Sequence, residues 1–133
     1  MTSSFEPTDS LTGKVAVITG GTGAIGLACA QRLAKLGARC VLLYNSEAPE
    51  SAAAKAAALP GSGHLSFKAQ VTDSASLHAV AEQVAAHCGV VHILVNSAGY
   101  TQAVPANDLD ALTDDLIDDI LKVNFRGVIA TIR

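Results

Sequence analysis

The chain has 133 residues, half of them apolar, which is enough for one domain with a buried core and argues against disorder. Its formal net charge is −3, and its nine Lys and Arg residues are scattered, so the clustered base of a nucleic-acid-binding surface is missing. The sequence has no apolar stretch of membrane-spanning length and no basic-then-apolar secretion signal. These features predict a cytoplasmic protein with neither a nucleic-acid partner nor a membrane partner.

The cysteines and histidines show no spacing that is typical of a metal site, and we predict none. The three cysteines fit reduced thiols of a cytosolic protein. Six of the twelve acidic residues lie between Asp108 and Asp119. We interpret them as the solvated start of a helix, where negative charge meets the positive end of the helix dipole.

Strands and helices are predicted to alternate along the chain after a loose polar leader at residues 1–11. The strands are predicted at 14–19, 39–44, 64–70 and 90–95, and the helices at 24–36, 46–59, 74–88 and from about 114 onward. Four strands alternating with four helices favour right-handed crossovers and a parallel sheet with helices on both faces. The nearly continuous apolar strands agree, because such strands are buried on both sides. Residues 12–133 therefore form one predicted α/β domain, a three-layer, doubly wound sheet.

A glycine-rich turn, Thr19-Gly20-Gly21-Thr22-Gly23-Ala24-Ile25-Gly26, separates the first strand from the first helix. Glycines let the backbone approach a ligand closely, and the N-terminus of the next helix attracts an anion. This placement predicts a phosphate site. Along the helix that follows, helical spacing is kept by the apolar residues Ile25, Ala28, Cys29, Leu33 and Leu36.

Each predicted strand ends at or beside a polar residue, and these residues are Thr19, Tyr44, Gln70 and Asn96. In an open parallel sheet the carboxyl ends of the strands meet at one edge, where ligands bind. The set favours a nucleotide crevice, although any one polar residue could be there by chance.

Asn124 is a polar residue on the predicted apolar face of the last helix, which consists of Ile117, Ile120, Leu121, Asn124 and Val128. A buried amide without hydrogen bonds costs about 1–3 kcal/mol, so Asn124 needs partners. It either ties the helix to a neighbouring loop or serves a function.

Three segments resemble motifs of the short-chain dehydrogenases/reductases (SDRs). The glycine turn resembles their TGxxxGxG motif, Asn96-Ser97-Ala98-Gly99 resembles NNAG, and Lys122–Gly127 resembles the segment that carries their catalytic Asn. Leu11-Thr12-Gly13-Lys14 also fits. The resemblance spans nearly the whole chain and implies a Rossmann-type fold, a nicotinamide dinucleotide, and hydride transfer between that cofactor and a small ketone or secondary alcohol.

The resemblance also implies a role for each matched position. Asn124 would be catalytic, holding a water in the proton relay. The cofactor-binding residues would be Thr19, Gly20, Gly21, Thr22, Ala24, Ile25 and Gly26 in the pyrophosphate turn; Asn96, Ser97, Ala98 and Gly99 beside the ribose and nicotinamide; and Gln70 and Val71 at the adenine. Three of them depart from the family pattern: Ala24 replaces a glycine, Ser97 an Asn, and Gln70 an Asp.

The tip of the second strand bears on the choice between NAD and NADP. NAD enzymes of this kind place an acid there, whereas this chain has Tyr44, Asn45 and Ser46, with Glu47 past the tip. We therefore expect NADP, with NAD as the alternative. No Lys or Arg is predicted to pair with the 2′-phosphate, because Gly23 stands where such a residue is often found.

The family's proton-donating Tyr, followed by Lys four positions later, is missing from this sequence, since position 48 is Ala and position 104 is Val. In the expected strand order 3-2-1-4, the fourth strand would also leave an apolar edge unpaired. We therefore predict the N-terminal part of a longer SDR domain, interrupted after the helix that follows strand 4, with the catalytic Ser, Tyr and Lys beyond residue 133. The alternative is a non-catalytic dinucleotide-binding module or a partner-dependent subunit. A homo-oligomer, either a tetramer or a dimer, is implied by the resemblance alone.

Overall fold

The computed structural model describes residues 10–133. Of the predicted leader at 1–11, residues 1–9 lie outside the described residues. Leu11 is held in place: its N–H donates to the Leu36 carbonyl at 2.8 Å, and its side chain packs against the core.

Four strands and their connecting helices alternate as expected. The strands are β1 (Val15–Thr19), β2 (Arg39–Tyr44), β3 (Leu65–Lys68) and β4 (Ile93–Asn96). The helices between them are α1 (Ala24–Lys35), α2 (Pro49–Ala57) and α3 (Ser74–Cys88). After β4 come a 3₁₀ turn (Leu109–Ala111), α4 (Asp114–Leu121), a π turn (Lys122–Arg126) and α5 (Gly127–Ile132).

Helix boundaries follow local chemistry. α2 begins at Pro49 rather than at Ser46, because proline lacks the N–H that would be unpaired at this position. Asp73 caps α3 by accepting from the Ala75 N–H at 2.9 Å, and Gly89 ends it with a positive φ of 72°. Thr113 caps α4 in the same manner, accepting from Leu116.

The sheet is parallel throughout, in the order β3-β2-β1-β4, which confirms the predicted Rossmann-type α/β fold. Ile18 of β1 lies opposite Leu42 of β2 and Val95 of β4. Alternate residues of β1 face opposite sides: Ile18 packs with α1 and α2, and Val17 packs with α3. β3 and β4 are shorter than predicted.

β4 is paired only with β1 in the described part of the chain. Close to it, Val90 and Val91 are exposed, as is Leu94 on the strand itself. Within residues 10–133, no helix has the length and apolar character needed to cross a bilayer.

Candidate functional site

One crevice of about 620 Å³ opens at the carboxyl edge of the sheet and is bordered by the glycine turn. Eleven of the sixteen predicted cofactor-binding residues line it: Thr19, Gly20, Thr22, Tyr44, Asn45, Ser46, Gln70, Val71, Ser97, Ala98 and Gly99. Further wall residues include Glu47, Tyr100 and Val123. The five predicted residues outside this lining are Gly21, Ala24, Ile25, Gly26 and Asn96.

Two positions of the glycine turn can be occupied only by glycine. Gly20 has a φ of 60°, and a Cβ there would lie 2.9 Å from the Ala98 backbone. A Cβ on Gly26 would run into the Gly20 carbonyl oxygen. Both positions therefore need glycine, and Gly26 acts from behind the turn by letting α1 approach it.

The positive N-terminal end of α1 lies at the glycine turn. Gly23 is the N-cap residue, with extended backbone and no side-chain cap, and the first turn contains no acidic residue. The first N–H groups of a helix have no intrahelical acceptor, and the helix dipole makes this end positive. An anion in the turn would satisfy both requirements.

Thr19 holds β1 and the segment after β4 together at the edge of the crevice. Its side chain is buried, with 1% exposed, and its Oγ1 accepts from the N–H groups of Ser97 and Ala98, both at 3.1 Å. Asn96 faces elsewhere, because its Oδ1 accepts from the Thr131 hydroxyl of α5 at 2.6 Å. Thr19 and Asn96 thus fix the segment Ser97–Gly99 from both sides.

Asn124 lies in the π turn and is bound to the loop after β4. Its Oδ1 accepts from the Tyr100 N–H and its Nδ2 donates to the Tyr100 carbonyl, both at 2.8 Å. The amide therefore ties the helix to the neighbouring loop, which was one of the two interpretations left open. π turns are frequent at functional sites. The catalytic role of Asn124 stays a prediction.

The predicted apolar face of the last helix is wrong. Asn124 is exposed, and so are Ile117 and Leu121, at 38% and 53%. The buried positions are Leu116 and Gly127 instead. The reason is close packing at Gly127, where a Cβ would lie 2.9 Å from Val71 Cγ2, so the glycine side of the helix faces inward.

Lys55, which was not among the predicted site residues, lies beside the glycine turn. Lys55 Nζ of α2 is 2.6 Å from Glu47 Oε1 and donates to the Thr22 carbonyl at 3.0 Å. The hydrogen bond from Lys55, followed by those from Ser51 and Thr22, lowers the pKa of the Glu47 carboxyl from 4.5 to about 2. Lys55 thus lies near this end of the crevice, whereas the sequence predicted no Lys or Arg that would pair with a 2′-phosphate.

In the described residues, no three His, Cys, Asp or Glu side chains come close enough to hold a metal ion. Cys40 is fully buried, and burial raises the pKa of its thiol to about 11.

A second cavity, about 380 Å³ and mostly apolar, lies between α3, β4 and α5 and shares only Thr19 and Leu43 with the crevice.

Comparison with known proteins identifies the family. The family model described as "short chain dehydrogenase" matches residues 14–133. The chain belongs to the short-chain dehydrogenase family. The predicted resemblance is confirmed, and the crevice lies where this fold class binds its ligands, outside the carboxyl ends of the strands.

Several relatives show how far the similarity extends. The D-threitol dehydrogenase of Mycolicibacterium smegmatis is 42% identical over 118 residues, covering 88% of this chain and 44% of the relative. The 3-oxoacyl-[acyl-carrier-protein] reductase FabG of Escherichia coli is 36% identical over 116 residues, covering 87% and 45%. A solved short-chain dehydrogenase/reductase from Serratia marcescens superposes with a TM-score of 0.80 at 36% identity, covering 92% and 49%. The chain therefore spans about half the length of the curated relatives it matches.

The departures from the short-chain dehydrogenase motifs are accommodated locally. Ala24 is the first residue of α1 and has no positive φ, so alanine causes no backbone strain there. Ser97 contributes its backbone N–H to Thr19, a contact that does not depend on its side chain. Gln70 lines the crevice, and its N–H donates to the Ser76 hydroxyl at the start of α3.

Proposed function

We propose that the protein is a nicotinamide-dinucleotide-dependent oxidoreductase that interconverts a small-molecule ketone and a secondary alcohol. The observation that carries this proposal is the convergence of the glycine turn, the strand ends and the Asn124-bound loop on one crevice. The names of the relatives agree with this reaction class, since they include dehydrogenases of D-threitol and galactitol and a 3-oxoacyl reductase.

The glycine turn fits a dinucleotide on physical grounds. Gly20 and Gly26 let the turn pack closely against Ala98 and against the start of α1, and the helix end carries no acid to repel a pyrophosphate. Tyr44, Asn45 and Ser46 would hold the adenosine ribose, with Gln70 and Val71 at the adenine. Gly99 and the loop at Tyr100 would border the nicotinamide, which supplies or accepts the hydride.

We propose NADP as the preferred cofactor, with NAD as the alternative. The tip of β2 presents no acidic side chain at Tyr44, Asn45 or Ser46. The nearest carboxylate, Glu47, is paired with Lys55, so its charge is compensated. A 2′-phosphate in this part of the crevice would therefore meet little repulsion.

Catalysis also needs a group that protonates the forming alkoxide. Tyr44 and Tyr100 have no lysine four positions later. We propose that the catalytic Ser, Tyr and Lys lie in a segment outside these 133 residues, and that residues 12–133 are the N-terminal part of one longer domain. Asn124 would hold a water in the proton relay, and the 133 residues by themselves would be inactive. A non-catalytic dinucleotide-binding module is the alternative, favoured by the same missing motif.

We further propose a cytoplasmic homo-oligomer, a tetramer or a dimer. One side of the last helices carries large apolar side chains at helical spacing, each at least half exposed: Leu121, Phe125, Ile129 and Ile132. Such a face is costly to leave in water and suits packing against a second copy. Chromatography coupled to light scattering measures this state directly, and a monomer would contradict the proposal.

Cofactor titration tests the proposed function. The intact natural polypeptide that carries this sequence should bind NADPH, seen as a shift of the nicotinamide fluorescence, and should oxidise it in the presence of a ketone. Gly26→Ala should abolish binding, because its Cβ meets the Gly20 carbonyl oxygen. Gly13→Ala is a control outside the crevice: Gly13 has a positive φ, unlike Gly26, but a Cβ there meets nothing within 4 Å. Failure to bind either dinucleotide would refute the proposal, and binding without turnover would support the non-catalytic module.

A further inference from the structure

An ion pair spans the gap between the glycine turn and the loop after β2. Lys55 Nζ contacts Glu47 Oε1 at 2.6 Å and the Thr22 carbonyl oxygen at 3.0 Å. Glu47 and Thr22 both line the crevice, on the side of Tyr44, Asn45 and Ser46. Lys55 therefore joins two residues of the crevice wall from behind the lining, to which its own side chain does not belong.

The pair is held in place by its surroundings. Ser51, on the same helix as Lys55, donates its hydroxyl to Glu47 Oε1. Lys55 and Glu47 are both half-buried, with 36% and 21% of their side chains exposed. A charge pair with this degree of burial is screened less by water than one on an open surface. Its position is thus fixed before a ligand arrives.

Charge at this end of the crevice acts on one part of a dinucleotide. The ribose next to the tip of β2 carries either a 2′-hydroxyl, which donates a hydrogen bond to a carboxylate, or a 2′-phosphate, which accepts hydrogen bonds from a Lys or Arg. Lys55 and Glu47 offer both kinds of group at one place. An ammonium has three N–H donors, so Lys55 can contact a phosphate oxygen in addition to the Thr22 carbonyl.

We propose that the Glu47–Lys55 pair sets the preference for the 2′-phosphate, with Lys55 as the phosphate-binding group and Glu47 as the group that opposes it. This inference rests on the proposed function, namely that the crevice binds a nicotinamide dinucleotide. A 2′-phosphate draws Lys55 from Glu47, whereas a 2′-hydroxyl donates to Glu47 and leaves the ion pair intact. Removing Glu47 should therefore strengthen the preference for the 2′-phosphate, and removing Lys55 should weaken it.

Paired variants of the intact polypeptide test this inference through the ratio of two dissociation constants, for NADH over NADPH. Glu47→Gln frees Lys55 and should raise the ratio about tenfold, the scale of one charged hydrogen bond. Lys55→Met frees Glu47 and should lower it by about the same factor. Glu50→Gln and Lys35→Met make the same charge changes outside the crevice and should leave the ratio unchanged.

The outcomes separate this inference from the proposed function. If the unsubstituted protein binds neither dinucleotide, the proposed function fails. If it binds both but neither variant changes the ratio, or if both affinities fall together, the pair is only a clamp between α2 and the turn, and the inference is wrong. Should Lys55→Met fold poorly by circular dichroism, Glu47→Gln alone decides. Competition by adenosine 2′,5′-bisphosphate against AMP must show the same shift, because it confines the effect to the adenosine end.

Discussion

Replacing Thr19 by valine tests whether one hydroxyl joins β1 to the segment after β4 at the crevice. Valine has nearly the same shape, so the packing at this 1% exposed position is kept and only the hydrogen-bond acceptor is removed. The N–H groups of Ser97 and Ala98, now 3.1 Å from Oγ1, lose their acceptor. An unsatisfied buried donor costs about 1–3 kcal/mol. Both residues are half-buried at the edge of the crevice, where water reaches, so each loss should fall near the lower limit.

We therefore expect Thr19→Val to lower the free energy of unfolding by about 2 kcal/mol, the sum of two losses at that lower limit. Urea denaturation followed by circular dichroism measures this difference. Thr19→Ser is the matched control, since it keeps the acceptor and loses only a methyl group. Thr101→Val, at an exposed site outside the crevice, controls for the change of residue type. The reasoning is refuted if Thr19→Val is as stable as the unsubstituted protein, or if the serine variant loses more stability than the valine variant.

Three further predictions follow from single side chains. Asn124→Ala removes both hydrogen bonds to Tyr100 and should lower the free energy of unfolding by about 1–2 kcal/mol; a melting curve identical to that of the parent would contradict this. The lowered pKa of Glu47, about 2 against an ordinary 4.5, means that its ionised form stabilises the fold above pH 4.5, and that this contribution is lost as the pH falls toward 2. In Glu47→Gln, the free energy of unfolding should therefore fall less steeply between pH 4.5 and pH 2 than in the parent protein. An unchanged pH dependence would count against the pair. Cys40, with its pKa raised to about 11 by burial, should resist a thiol reagent at pH 8 in the native state and react after denaturation; rapid native labelling at Cys40 by mass spectrometry would show otherwise.

The elements could be predicted because they depend on local signals, whereas the sheet order followed from the resemblance to a Rossmann-type fold. Gly37 and Gly89 end α1 and α3 with positive φ values of 99° and 72°, as a C-terminal glycine should. The glycine turn could be placed because the strand before it and the helix after it are both clear in the sequence. The carboxyl ends of parallel strands must then meet at one edge, which is why eleven predicted residues line a single crevice.

The buried faces of the helices could not be predicted in the same manner. On α1 the buried residues are Gly26, Ala30 and Ala34, whereas Ile25 is 75% exposed. Gly127 of α5 is buried while Ile129 is half exposed. Apolar spacing assigns large side chains to the core. On α1 small residues are the fully buried ones, Leu27 and Leu33 are only partly buried against the core, and Ile25 faces outward.

Short packing distances also explain why Lys55 was missed. Ala52 and Ala56 of α2 are 0% and 2% exposed, so this helix lies close against the body of the protein. Lys55 directly precedes Ala56, and this closeness lets its ammonium reach the Thr22 carbonyl, thirty-three positions earlier in the chain. A larger residue at Ala56 would push α2 outward and separate Lys55 from the turn. The cation at the crevice therefore depends on alanines that carry no charge, a link between distant positions that no motif in the sequence encodes.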